Sequence, residues 1–129
     1  MGARDHDAIV AAVQLYIDGA RDGDASKLRQ TFDANARMYG SLGGRRFDVP
    51  IDEYFAMADG QPADVDGSYK ARITSVEQVG DAATAVVEEE GFWGNVSFTD
   101  FFSLSCIDGT WKIVNKTFAH TGGEPPAFD

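Results

Sequence analysis

The sequence predicts an α+β protein, with helices in its first third and an antiparallel β-meander in most of the rest. Residues 9–20 place apolar side chains at helical spacing, which predicts an amphipathic helix. From residue 68 onwards, β-branched and aromatic residues are frequent and short turn sequences divide the chain, which predicts strands. A length of 129 residues is typical of one domain, so we expect residues 1–129 to fold as a single unit.

Three helices are predicted. The apolar stripe of the first helix consists of Ile9, Val13, Tyr16, Ile17 and Ala20. Asp5 or Asp7 can cap its start, and Gly23 lies near its end. The segment "DASKLRQTF" predicts a short second helix with Asp24 as its N-cap. The segment "PIDEYFAMA" predicts a third helix, with Pro50 in its first turn.

The remaining elements are predicted to be strands. "ARMYG" and "RRFDV" flank the glycine-containing "SLGG" and indicate a short hairpin. Four longer strands are predicted at "SYKARITSVEQV", "ATAVVEEEGF", "VSFTDFFSLSC" and "TWKIVNKTFAH". The sequences "GD", "WGN" and "IDG" between them are typical of turns, and "TGGEPPAFD" is expected to be irregular.

Composition excludes several classes of function. Asp and Glu outnumber Lys and Arg by 21 to 11, giving a net charge of −10 that disfavours nucleic-acid binding. No apolar run is long enough for a membrane span, and the charged start "MGARDHDAIV" disfavours a signal peptide, so we expect a cytoplasmic protein. The single cysteine, Cys106, excludes an internal disulfide and a cysteine-cluster zinc site. Since no nucleotide-binding or metal-helix motif occurs, we expect neither a metal nor a cofactor.

The segment "FTDFFSLS" places Asp100 within an otherwise apolar strand. A two-residue turn in "IDGT" would set Asp100 opposite Thr117 and Phe102 opposite Asn115 on the last strand. Because side chains alternate along a strand, one face would carry Asp100, Phe102, Leu104, Cys106, Trp111, Ile113, Asn115 and Thr117. An apolar face that becomes polar at one end is typical of a small-molecule pocket. Asp100 could equally be a structural acid that hydrogen-bonds to Tyr16, Asn115 or a backbone amide.

The opposite face of the same two strands mixes apolar residues with charges and hydroxyl groups. A half-apolar outer face of this kind suits a subunit interface. We therefore expect a homodimer formed through Phe101, Val114, Lys116 and Phe118.

A second carboxylate could face Asp100 from the strand that contains "EEEG". A three-residue "WGN" loop would place Glu88 there, whereas a loop shorter by one residue would place Glu89 there instead. Two facing carboxylates would raise the pKa of one of them and offer an acid–base pair, while the alternative is a solvated strand edge. The predicted ligand-binding residues are Tyr16, Tyr39, Tyr54, Phe55, Glu88, Phe98, Asp100, Phe102, Asn115 and Thr117.

Two segments carry a resemblance to a known family. "VQLYIDGARDGDASKLRQTFDANARMYG" and "FTDFFSLSCIDGTWKIVNKTF" resemble the NTF2-like superfamily, and within it the branch labelled putative lumazine-binding. The resemblance covers about residues 7–118 and leaves 119–129 as a C-terminal tail. It implies a cone in which three helices pack on a curved, mainly antiparallel sheet, with a cavity between the layers and dimerisation through the outer sheet face.

The ketosteroid isomerases of this superfamily are a more distant resemblance, through "VQLYI" and "TDFFSL". It implies that Tyr16 and Asp100 are catalytic and donate hydrogen bonds to an enolate oxygen, with Asp100 kept protonated by its apolar surroundings. The carboxylate base of those enzymes is missing, because its matching position is Gly40.

Three functions follow as expectations. The first is binding of a small, largely apolar or aromatic ligand in a cavity with Tyr16, Asp100 and Asn115 at its polar end. The second is a cofactor-independent isomerase, dehydratase or hydrolase of the ketosteroid isomerase or polyketide cyclase type. The third is an association domain without catalysis. No residue favours a pteridine over another flat heterocycle.

Overall fold

The computed structural model describes residues 3–126, which form an α+β fold of three helices and six strands. In chain order these are α1 (Ala3–Asp22), α2 (Ala25–Thr31), β1 (Phe32–Leu42), β2 (Arg45–Pro50), α3 (Ile51–Ala58), β3 (Lys70–Val79), β4 (Ala82–Phe92), β5 (Val96–Ile107) and β6 (Thr110–Gly122). The predicted fold class is confirmed. None of the three helices is long and apolar enough to cross a membrane.

The six strands form one sheet in the order β2-β1-β6-β5-β4-β3. The meander from β3 to β6 and the β1–β2 hairpin are antiparallel, as predicted, whereas β1 and β6 pair in parallel. This parallel pair joins the first strand to the last strand, and no local pattern in the sequence indicated it. Helix α1 contacts β3 and β6 while α3 contacts β1 and β2, and the core lies between helices and sheet.

The helix boundaries agree with the sequence analysis except at the N-termini of α1 and α3. Asp24 caps α2, because its side chain accepts hydrogen bonds from the N–H groups of Ser26 and Lys27. Helix α1 has already begun at Ala3, so Asp5 lies in its first turn, and the prediction that Asp5 or Asp7 caps it is wrong. Pro50 occupies the N-cap position of α3 rather than its first turn.

The register between β5 and β6 follows the prediction only near the turn. Ile107 pairs with Thr110, as the two-residue turn requires, and the agreement continues to Leu104. A β-bulge then shifts the register, so that Phe102 lies opposite Lys116 and not Asn115. A bulge inserts one extra residue into one strand, and every later side chain on that strand changes face.

This shift reverses the predicted faces of the second half of β6. Lys116 and Phe118 are buried on the inner side of the sheet, and Phe118 lies opposite Asp100. Thr117 is exposed and Asn115 is half-buried, and their side chains hydrogen-bond to each other. The prediction that Asn115 and Thr117 face the pocket is therefore wrong.

The predicted dimer interface loses two of its four residues for the same reason. Lys116 and Phe118 are buried within the chain and are not part of the outer face. Phe101 remains there with 51% of its surface exposed, and Val114 is half-buried. A homodimer through the outer face stays a prediction.

The C-terminal tail begins later than expected. Strand β6 continues past residue 118 to Gly122, which pairs with Ser97 on β5. Residues 123–126 form no strand, and the predicted irregular residues 127–129 lie outside the described part of the chain.

Gly40 on β1 allows the parallel pair to pack closely. A Cβ atom at this position would lie 2.6 Å from two ring carbons of Phe118 and 2.6 Å from the Phe118 carbonyl oxygen. Since part of this contact is with backbone, rotation of the ring alone cannot relieve it. No side chain fits at position 40 without moving β6.

We expect Gly40→Ala to destabilise the fold by about 1–3 kcal/mol, because the added methyl group overpacks a closed site. Urea denaturation would measure the free energy of unfolding. The control is Ser41→Ala at the next, exposed position, where a change within about 0.5 kcal/mol is expected. An unchanged stability of Gly40→Ala would contradict the described contact.

Candidate functional site

A polar cluster is buried between α1 and the sheet. It consists of Tyr16 on α1, Tyr69 just before β3, Glu89 on β4, Asp100 on β5 and Lys116 on β6. Tyr16 and Asp100 are fully buried, and Glu89 and Lys116 are only 3% and 5% exposed. Because charged side chains are seldom buried without partners, this cluster is the most unusual feature of the core.

Hydrogen bonds connect the two carboxyl groups through a tyrosine. The Tyr16 hydroxyl oxygen lies 3.1 Å from Asp100 Oδ2 and 3.2 Å from Glu89 Oε1, and the Tyr69 hydroxyl lies 2.6 Å from Glu89 Oε2. A tyrosine hydroxyl carries one proton, so Tyr16 donates to one carboxyl group and accepts from the other. One of the two carboxyl groups must therefore be protonated to complete both bonds.

The charges within the cluster identify Glu89 as the protonated group. Burial and the neighbouring Asp100 carboxyl group raise the pKa of Glu89 well above its usual value. Asp100 instead has a counter-ion, since Lys116 Nζ lies 3.1 Å from its Oδ1. The cluster then contains one ammonium, one carboxylate and one neutral acid, and its net charge is zero.

This charge distribution differs from the one that the isomerase resemblance implied. The resemblance required a neutral acid at Asp100, but an ammonium group at 3.1 Å stabilises the charged form of a carboxyl group. Glu89 supplies the neutral acid instead. Burial, followed by the neighbouring Asp100 and Glu89 carboxyl groups, raises the pKa of Tyr16, which therefore remains a phenol donor.

A cavity of about 40 Å³ lies beside the cluster. Lys116, Glu89 and Tyr54 line it together with apolar groups that include Phe98 and Phe118. The hydroxyl group of Tyr54 is buried near the Tyr16 side chain and makes no hydrogen bond of ordinary geometry within residues 3–126. Buried polar groups normally have partners, so an unpartnered hydroxyl in a cavity wall is unusual.

An outer cleft of about 460 Å³ adjoins the cavity. The two spaces share the lining residues Phe47, Met57, Gln61 and Trp93. These four side chains form the boundary between the cavity and the surface.

The predicted site residues occupy three different environments. Tyr54 and Phe98 line the cavity, whereas Tyr16 and Asp100 lie in the hydrogen-bond network behind it. Phe55 and Phe102 pack in the core against the Phe32 ring.

Two predicted ligand-binding residues lie away from the cavity. Tyr39 is half-buried beside the Arg37 guanidinium group. Glu88 is exposed and pairs with Arg72 at 2.8 Å, because the β3–β4 register places these two residues opposite each other. On its other side Glu88 lies opposite Thr99 of β5. The prediction that Glu88 faces Asp100 is therefore wrong. The alternative, Glu89, lies on the inner face but opposite Phe98, and Val87 is the residue opposite Asp100.

Sequence reasoning missed three residues of the site. Lys116 and Phe118 were assigned to the wrong face by the unrecognised bulge in β6. Tyr69 precedes the first residue of β3, where no pattern distinguishes it from an ordinary strand residue. Lys116 is flanked by Asn115 and Thr117, so the local sequence suits an exposed face and gives no sign of burial.

The arrangement can move protons between two groups of the cavity wall. Lys116 contacts Asp100, Asp100 contacts Tyr16, and Tyr16 contacts Glu89, each within 3.2 Å. Both ends of this chain line the cavity. Among the described residues, no group of three or more His, Cys, Asp or Glu side chains could hold a metal ion.

A comparison with known protein families identifies the family of this chain. The family model described as putative lumazine-binding matches residues 4–119. The chain belongs to this family. Its solved relatives include an NTF2-like protein of unknown function from Methylobacillus flagellatus KT, which is 32% identical, with 94% of this chain and 95% of that chain covered and a TM-score of 0.85.

More distant relatives share the fold. A ketosteroid isomerase-like protein from Erwinia carotovora atroseptica SCRI1043 is 18% identical and has a TM-score of 0.77, with 95% of this chain and 100% of that chain covered. Among curated proteins, one named aldolase FrzH, from Cladobotryum sp, is 25% identical over 114 residues, or 88% of this chain and 90% of the relative. The fold and superfamily are therefore those that the sequence resemblance indicated.

We expect Glu89→Gln to change how stability depends on pH. The folded protein keeps a proton on Glu89 that the unfolded chain releases above about pH 4.5, so the unfolding free energy of the wild type falls as the pH rises. Glutamine imitates the protonated acid and cannot lose that proton. The free energy of unfolding of the variant, relative to that of the wild type, should therefore rise with pH. The rise should be up to about 1.4 kcal/mol per pH unit, from about pH 4.5 up to the raised pKa of Glu89.

Urea denaturation at several pH values between 4 and 8 would measure this difference. Glu88→Gln is the matched control, because its side chain is exposed. A stability difference between Glu89→Gln and wild type that does not vary with pH would show that Glu89 is ionised in the folded protein.

Proposed function

We propose that this protein binds a small carbonyl compound whose oxygen lies among Tyr54, Lys116 and Glu89. Its apolar body would extend through the boundary residues into the outer cleft. The observation that carries the proposal is the buried Tyr54 hydroxyl, which has no partner in the described chain and lines a cavity.

The polar groups of the cavity wall are all able to donate a proton. Burial raises the pKa of Tyr54, so its hydroxyl stays protonated. Glu89 can turn its proton from Tyr16 to a ligand, and Lys116 has N–H groups beyond the one that faces Asp100. A ligand atom placed between three donors must be an acceptor. A carbonyl oxygen meets this requirement, and an amine or ammonium group does not.

The size of the two spaces supports a ligand with a small polar head. A cavity that holds benzene measures roughly 150 Å³, so about 40 Å³ admits only a head group. The outer cleft of about 460 Å³ offers room for a larger body. Because Phe47, Met57 and Trp93 border that cleft, the body of the ligand should be mainly apolar.

Tyr54→Phe should weaken the binding of 4-phenylbutan-2-one by about 1 kcal/mol, or roughly fivefold in Kd, because one hydrogen bond to the carbonyl oxygen is lost. Without ligand, the same variant should unfold at a higher temperature, since a buried unpartnered hydroxyl is removed. Calorimetry or ligand-observed NMR would give the dissociation constants.

Two controls accompany this measurement. Isopentylbenzene has the same shape without the carbonyl group and should bind wild type and Tyr54→Phe equally. Tyr39→Phe changes a tyrosine outside the cavity lining and should bind the ketone like the wild type. Equal affinities of the ketone and the hydrocarbon for the wild-type protein would overturn the proposed function.

The second candidate function is catalysis of proton transfer at the carbon next to the carbonyl group, as in isomerisation, dehydration or aldol addition. The specific observation is the neutral Glu89 acid in the cavity wall, joined to Asp100 and Lys116 by a continuous chain of hydrogen bonds. Glu89 would protonate the carbonyl oxygen while the carbon proton passes to Asp100 through Lys116. A curated relative named aldolase supports this class of chemistry.

A mechanism of the ketosteroid isomerase type is not part of this proposal. The base of those enzymes would lie at position 40, which is Gly40 here. A side chain at this position would collide with the Phe118 ring, because its Cβ atom would lie 2.6 Å from two ring carbons. Any carbon-acid chemistry must use the groups on β4, β5 and β6 instead.

We expect the wild-type protein to accelerate hydrogen–deuterium exchange at the carbons next to the carbonyl group of 4-phenylbutan-2-one in D₂O. Glu89→Gln should lower the protein-dependent rate by about 10²–10⁴-fold, since glutamine cannot transfer the proton. NMR would follow the exchange, with Glu88→Gln as the control. If exchange in the presence of the wild-type protein is no faster than in buffer, the catalytic function is excluded and the binding function is not affected.

A further inference from the structure

We infer that Lys116 forms a covalent imine with the carbonyl carbon of the bound ligand. This inference rests on the proposed function and adds a chemical step to it. The cavity takes unhindered aldehydes and ketones in preference to esters, amides and acids, because only the former condense with an amine to an imine.

The position of Lys116 supports this role. Its side chain comes from a buried strand, lines the cavity and is 5% exposed. The rings of Tyr16, Tyr54 and Phe118 surround Nζ, with centroids at 5.5, 5.2 and 4.9 Å. Lysines that act as amine nucleophiles lie in apolar surroundings of this kind.

A purely structural role explains less of the geometry. Nζ makes one hydrogen bond to a described side chain, that of Asp100, although an ammonium group has three donors. A lysine that served only to neutralise Asp100 would not need to border a cavity. The same cavity wall contains the Tyr54 hydroxyl and the Glu89 acid, both of which can act on the oxygen that imine formation removes.

The first half of the reaction uses the two carboxyl groups separately. The Lys116 ammonium transfers one proton to the Asp100 carboxylate, which lies 3.1 Å away. The free amine then forms an N–C bond to the carbonyl carbon, while the π electrons of the C–O bond move to oxygen. Glu89 turns its proton from the Tyr16 hydroxyl to that oxygen and protonates it, which gives a carbinolamine.

The second half releases water. Glu89 takes a second proton from nitrogen and returns it to the hydroxyl group, which leaves as water while the C–N double bond forms. The proton on Asp100 returns to Glu89 through the Tyr16 hydroxyl, which lies within 3.2 Å of both carboxyl groups. The products are an iminium cation, the Asp100 carboxylate, neutral Glu89 and one water.

The charge of the cluster is the same before and after the reaction. The iminium nitrogen carries the positive charge that the ammonium carried, and it remains beside Asp100. A buried site would otherwise oppose any change in net charge, because unpaired charges are costly away from water.

Reductive trapping tests the inference on the wild-type chain. The protein is incubated with 4-phenylbutan-2-one and sodium cyanoborohydride, and its intact mass and peptides are then measured. We expect one adduct with the mass of the ketone less one oxygen atom, located at Lys116. Lys112 on the same strand is half-buried and contacts the Gln30 carbonyl oxygen, and it serves as the internal reference.

The result distinguishes this step from the proposed function. Binding of the ketone without any adduct at Lys116, or labelling of Lys112 to the same extent, would overturn the imine and leave binding intact. Failure of the ketone to bind in calorimetry would overturn both.

Variants add a second line of evidence. Lys116→Arg keeps a positive charge beside Asp100 but cannot form an imine, so it should abolish the adduct. Lys112→Arg should retain it. If Lys116→Arg fails to fold, the peptide map of the wild type still decides the question.

Discussion

The buried ion pair between Lys116 and Asp100 is the interaction on which the rest of the interior depends. Two charges removed from water are tolerated only as a close pair, and loss of one partner typically costs about 3–5 kcal/mol. The pair exists because a β-bulge in β6 turns Lys116 towards the helices and places its Nζ 3.1 Å from Asp100 Oδ1. With the only cation of the cluster already paired, the second carboxyl group, Glu89, remains neutral.

The protonation pattern that follows determines what the cavity can recognise. Tyr54, Glu89 and Lys116 can each offer a donor to the cavity, so the ligand atom that we propose to lie among them would be an acceptor. A ketosteroid isomerase needs a base on the first strand, and here the Phe118 ring fills that position against Gly40. A solved ketosteroid isomerase-like protein shares the fold, but the groups that we propose to be chemically active lie on other elements.

This difference fits the wider family. Solved relatives that share 32% or fewer of their residues with this chain keep the same arrangement of helices and sheet. A curated relative found by sequence is named an aldolase. A fold of this kind supplies a cavity between layers and leaves its chemistry to the few side chains that reach it. In this chain those side chains come from strands β4, β5 and β6 and from helices α1 and α3.

The sequence by itself determined the fold class, the superfamily, most element positions and the inward direction of Asp100, because these depend on local periodicity, turn residues and a recognisable motif. It did not determine the parallel pairing of β1 with β6, which joins distant parts of the chain. Nor did it show which of Glu88 and Glu89, or of Asn115 and Lys116, faces inward. Each of those choices changes with a shift of one residue, and the β4–β5 and β5–β6 pairs both contain such a shift. Only the tertiary structure therefore decided that a lysine and a second acid complete the buried site.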